Sequence, residues 1–139
     1  MKLKKLVQNE EFVVGIGNID KQHKILTETL KNLQTIDRHN VRSKVLVETL
    51  CRMTEYSNFH FEIENKFMEM FNYPDQDEHK NEHREFLKKT AEFNLGVMNT
   101  QLSIPNEVMT YLENWITNHF LKSDVRLKNF YDKNNLKRF

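Results

Sequence analysis

Leu46, Leu50, Met53, Ser57, His60, Glu64, Phe67 and Phe71 recur at steps of four and three residues without a slip. That is the period of a helix lying along other helices. A strand cannot use it, because strand side chains change face at every residue. The row also has an imidazole and a carboxylate in its middle. A chain built on it needs partner helices for the apolar positions and something else for His60 and Glu64.

Three further rows supply the partners. Ile19, His23, Leu26, Leu30 and Leu33 predict a helix over about 19–37, with Asn18 as its N-cap and the polar DRHN as its close. The row from 46 to 71 predicts one over 42–71, stopped before Pro74. His79, His83, Phe86, Thr90, Phe93 and Val97 predict a third over 76–98. Val108, Leu112, Trp115 and His119, beside Ile116, Phe120, Asp124, Leu127 and Tyr131, predict a fourth over 105–132, with Ser103 as cap and Pro105 in the first turn. Residues 1–17, containing the apolar FVVGIG, read as an irregular arm. The expectation is an all-α, up-down-up-down four-helix bundle forming one domain over 1–139. Only three glycines and two prolines oppose an all-β fold.

Composition removes several functions. With 21 basic and 20 acidic residues the net charge is +1, which offers no electrostatic footprint for nucleic acid or an anionic membrane. No stretch approaches the roughly 18 apolar residues of a membrane span, and MKLKK lacks the apolar segment of a signal peptide. The single Cys51 rules out an internal disulfide, fits a reducing compartment, and is read as a packing residue of the second helix. A cytoplasmic protein is expected. The mostly charged outer faces show no self-association stripe, so a monomer is expected.

The inward rows hold His23, His60, Glu64, His79, His83 and His119, and of the six histidines only His39 lies elsewhere, in the first loop. One buried histidine is ordinarily a hydrogen-bonded core residue. Five, from all four helices, are costly to bury unpaired. A metal centre removes the cost, because it coordinates imidazole and carboxylate together. His60 with Glu64, and His79 with His83, are each four apart and share a helix face. Five imidazoles exceed what a single ion with an open position needs, so two ions sharing carboxylates fit better. Asp124 is less determined: it follows His119 by five residues, about 140° around an α-helix. Spacing leaves open inward burial or an exposed ion pair with Lys122, Arg126 or Lys128.

DKQH (20–23), HFEIE (60–64), HKNEH (79–83) and HFLKSD (119–124), in this order, resemble the ligand signature of the hemerythrin family, and NYP at 72–74 resembles its interhelical turn. Nearly the whole chain is covered, in the manner of a single-domain bacterial member. The resemblance implies a four-helix bundle with two iron ions joined by an oxo or hydroxo group. One iron would be held by His79, His83 and His119. The other, with an open position, would be held by His23 and His60, and Glu64 and Asp124 would bridge the pair. It further implies reversible dioxygen binding at the open iron, inside a pocket lined by Leu26, Trp115, Ile116 and Phe120. On residue pattern alone those four are core.

Three positions depart from the family pattern: Asn65 where many members have a second Glu, Leu127 where a Tyr is common, and Phe12 where a Trp is common. None is a ligand. A ferritin-like di-iron site would need Glu-x-x-His, which the chain lacks, and zinc prefers four ligands in a closed tetrahedron. No further titratable residue is read on the pocket rows, so no enzymatic activity is expected. Carriage, storage or delivery of dioxygen is the expected role. The alternative is a sensor of oxygen, redox state or nitric oxide acting through a non-covalent partner.

Overall fold

The computed structural model describes residues 17–35 and 40–134, with side chains from His23 onward. The arm with Phe12, the Asn18 and Ile19 side chains, and His39 lie outside the described residues. The elements are α1 (Gly17–Leu33), α2 (Lys44–Met70), α3 (Gln76–Met98) and α4 (Ile104–Trp115). A π-helical segment (Ile116–Asp124) and α5 (Val125–Lys133) continue α4. Contacts run from α1 to α2, α2 to α3, and from both α1 and α3 to α4, which closes a four-helix bundle.

The element ends follow local hydrogen bonding. α1 stops at Leu33 rather than 37, because the Thr35 hydroxyl and amide both turn back to the Asn32 carbonyl, at 2.6 and 3.1 Å. It starts at Gly17, which puts Asn18 inside the first turn instead of at the cap. Ser43 caps α2 by accepting the Val45 amide at 3.1 Å. α2 and α3 end alike. Asn72 (φ 53°) and Thr100 (φ 54°) take the left-handed conformation, and the next amides reach back to Met68 and Gly96. Ser103 does not cap α4 through its side chain; its hydroxyl donates to Glu107 at 3.0 Å instead.

The apolar rows pack as expected, with Leu30, Leu33, Leu46, Met53, Phe86, Val108 and Leu112 fully or nearly fully buried. Four side chains depart from the reading. Cys51 is on the outer face of α2, exposed rather than packed. The outer face of α3 carries exposed Leu87, Leu95 and Met98, an apolar strip among the charges.

Among the described residues the core forms two clusters. The larger runs from Leu33 and Val108 to Phe61, Ile116 and Phe120. The smaller holds Phe67, Met68, Tyr73, Leu127 and Tyr131. On α2 the polar pair His60 and Glu64 falls between them, and on α3 His79 and His83 do the same. The polar layer is therefore sealed by apolar packing at both ends. No helix among the described residues is long and apolar enough to cross a membrane.

Candidate metal centre

All seven residues of the sequence-derived set meet in one layer, and none is more than 2% exposed. Glu64, on α2, is the hub. Its Oε1 lies 2.8 Å from His79 Nε2, 3.0 Å from His83 Nε2, 3.3 Å from His60 Nε2 and 3.9 Å from His119 Nε2. Asp124 is the second hub. Its Oδ2 is 2.9 Å from His23 Nε2 and 3.9 Å from His60 Nε2, and its Oδ1 is 3.2 Å from both His79 Nε2 and His119 Nε2.

Asp124 reaches the layer because of the π-helical segment. Hydrogen bonds from i to i+5 set residue 124 one turn above residue 119, where an α-helix would have turned it about 140° away. Of the two options left open by spacing, burial holds. Arg126 pairs instead with Glu78 at 3.7 Å.

The far nitrogens are tied down. His83 Nδ1 lies 3.0 Å from the Asn65 amide oxygen, and His119 Nδ1 lies 2.9 Å from Glu82 Oε1. Both partners are acceptors, so each Nδ1 carries the proton and each Nε2 turns its lone pair toward the carboxylates. Ser123 donates to Glu82 at 2.7 Å and holds that carboxylate in place. Lone pairs facing carboxylate oxygens repel unless a cation or extra protons lie between them. Consistent with that, His60 Nδ1 and Nε2, Glu64 Oε2, His119 Nε2 and both Asp124 oxygens are buried without a hydrogen bond of sound geometry among the described residues. Among the described residues three ligand-like groups form within 4.8 Å: His60, Glu64, His83 and His119; His23, His60, Glu64 and Asp124; Glu64, His79, His119 and Asp124. Glu64 belongs to all three and Asp124 to two, the pattern of shared carboxylates. The donor chemistry fits a transition metal of the iron or zinc type.

Without metal the layer holds itself by protons. Burial raises the Glu64 carboxyl, yet His60, His79 and His119 hold it well below the usual range. Burial and Glu64 push Asp124 up, and His119 and His23 bring it far down. Burial lowers His79, but Glu64 and Asp124 lift it to about 9. His119 behaves likewise, with Asp124, Glu64 and Glu82 carrying it well above its ordinary value. Burial wins at His83, which falls to about 4, and at His60, which is also lowered.

Of the four residues read as an oxygen pocket, two are in ring contact with this layer. Phe120 stacks on His23 at 3.9 Å and Trp115 on His119 at 4.0 Å, while Leu26 and Ile116 are buried in the larger cluster. Sequence reasoning missed Glu82 and Ser123, whose contacts cross between helices. It noted Asn65 only as a departure. It also missed Tyr56, a titratable residue stacked on His60 at 4.4 Å, contrary to the reading that the pocket rows hold none. The signal was present: Tyr56 and His60 are four apart on one helix.

Residues 14–130 match the family model described as the hemerythrin HHE cation binding domain. The chain is 32% identical over 119 residues to a bacteriohemerythrin of Stenotrophomonas maltophilia, covering 86% of this chain and 76% of that one. It is 31% identical over 126 residues to the bacteriohemerythrin of Clostridium acetobutylicum, covering 85% and 95%, and 25% identical over 125 residues to one from Campylobacter jejuni, covering 88% and 94%. No solved structure matches the chain. A family model spanning most of the chain, on a four-helix bundle with this buried donor layer, carries one conclusion: the protein belongs to the hemerythrin family.

Proposed function

We propose that the protein binds two iron ions and takes up dioxygen reversibly, for carriage, storage or delivery in the cytoplasm, as a monomer. His79, His83 and His119 would hold one iron, His23 and His60 the other, and Glu64 and Asp124 would bridge them. The observation that carries this reading is the convergence of four imidazole Nε2 atoms on a single Glu64 oxygen. When bound, ferrous iron supplies the electrons that reversible dioxygen uptake needs.

The protein's own part is to orient and to exclude. Asn65 and Glu82 set the imidazole tautomers from behind. Glu64 and Asp124 bring negative charge to a dry layer, where it attracts cations more strongly than it would in water. Phe120 and Trp115 cover the His23 and His119 rings with apolar surface, and together with Leu26 and Ile116 of the larger cluster they shield the layer from bulk water. The test is the visible spectrum of the iron-loaded protein, reduced without air, exposed to oxygen and then purged. A charge-transfer band that appears with oxygen and leaves on purging is expected. A one-way change to a ferric spectrum would overturn reversible carriage while leaving the iron centre standing.

Loading also has a proton signature. At pH 7 the metal-free protein carries protons on His79 and His119, whose values are raised to about 9 and well above 6.5. Coordination needs neutral imidazole, so anaerobic ferrous loading at pH 7 should release the protons held by these two imidazoles. His60 and His83 are already neutral and add none. Above about pH 9 the release should shrink, because His79 has lost its proton beforehand. An indicator dye in weak buffer reads the count, and uptake with no release at pH 7 would contradict the assignment.

A further inference from the structure

Two buried polar atoms beside the centre find no partner among the described residues. The Tyr56 hydroxyl and the Trp115 indole Nε1 each lack a hydrogen bond of sound geometry there, although their residues are only 4% and 7% exposed. The indole faces the hydroxyl without reaching it in good geometry. Both rings belong to one packed layer. Tyr56 stacks on His60 at 4.4 Å and 16°, Trp115 on His119 at 4.0 Å and 12°. Phe61 touches both, at 5.2 and 5.8 Å between centroids, and Phe120, which stacks on His23, lies 6.0 Å from Tyr56. The hydroxyl and the indole N–H thus stand in an otherwise apolar wall, against the imidazoles of both candidate iron positions.

A buried hydroxyl with nothing to bond weakens the fold, and phenylalanine of the same shape would remove the cost. Orphaned polar groups of this kind concentrate where a ligand supplies the missing partner. Tryptophan N–H can only donate, whereas a tyrosine oxygen can accept one hydrogen bond and donate another. A small tightening would let Trp115 donate to Tyr56 and leave the tyrosine proton free to point at a third atom, strengthened by the bond behind it.

We propose that Tyr56 is the ligand-positioning hydrogen-bond donor of the pocket, backed by Trp115, and that it selects small ligands with an acceptor at their outer end. Dioxygen and small linear anions share that chemistry. Leu26, Ile116 and Phe120 offer no donor to do the same. The inference rests on the di-iron reading, and its test separates the two.

The experiment compares the full-length protein with Tyr56→Phe, measuring iron content, azide binding to the ferric form by stopped flow, and thermal unfolding after metal removal. The variant is expected to keep its iron, bind azide roughly tenfold more weakly, chiefly through faster dissociation, and unfold at a higher temperature when metal-free. Oxygen release from the reduced and reoxygenated variant should quicken by a similar factor, which would extend the role from anions to dioxygen. Unchanged azide affinity with full iron overturns the proposal and leaves the di-iron reading intact. A lower metal-free midpoint also overturns it, because the hydroxyl would then be bonded within the fold. Loss of iron would make Tyr56 structural and overturn it as well. Wild-type protein that holds no iron overturns the di-iron reading and this one together. Should Tyr56→Phe not fold, Trp115→Phe carries the test: weaker azide binding with iron retained supports the donor pair, and unchanged binding overturns it.

Discussion

Glu64→Gln should empty the centre, lowering metal affinity by at least about a hundredfold, more than a supporting residue is worth. The substitution keeps the side chain's shape and burial. It removes the charge that four imidazoles face, and it puts an amide donor where Glu64 Oε1 or Oε2 now stands. Among the described residues Glu64 belongs to all three ligand-like groups, so each of these candidate ion positions draws on it. Glu82→Ala is the control. It removes only the carboxylate behind His119 Nδ1 and Ser123, and should weaken the metal about 10–100-fold without abolishing binding. Both are read by metal content after gel filtration and by competition with a chelator of known affinity. If Glu64→Gln keeps full metal while Glu82→Ala loses it, the hub has been misassigned.

The bundle was legible because its signal is redundant. Each helix repeats its apolar step several times, so the third was readable to its end residues, Gln76 and Met98. Helix ends decided by single hydrogen bonds were not, as Thr35 on α1 and Ser103 before α4 illustrate. Within the site, the i, i+4 pairs on α2 and α3 were legible because α geometry alone puts them together. Asp124 was not, because its burial depends on a π-helical turn that no periodicity announces. Glu82 sits on α3 with its partners on the π-helical segment, and such contacts across helices leave no trace in spacing. Tyr56 hid for a different reason. It flanks the row on α2 in which Ser57 took the inward place, yet both are buried. A row one residue wide undercounts a helix face that buries three or four positions every two turns.

The second large effect is on stability. Stripping the metal with a chelator should lower the thermal midpoint by about 10–20 °C: metal a thousandfold above its dissociation constant contributes about 4 kcal/mol, and each kcal/mol is about 3–5 °C at this length. The metal-free chain should still fold, because two apolar clusters flank the layer and do not depend on it. The gap between loaded and stripped protein should widen with pH. His79 has a folded value of about 9, so in the stripped protein its pairing with Glu64 and Asp124 is fully stabilising below its unfolded value near 6.5. That contribution is lost as pH rises through about 9. The loaded protein has no such loss, since its imidazoles are already neutral and bound. Below about 6.5 the gap should close, because protons then compete with metal for the same nitrogens. Melting curves of both forms between pH 6 and 9 give the answer. Parallel curves, or a gap that narrows toward pH 9, would mean that His79 is not a ligand and that the buried layer is held by protons alone.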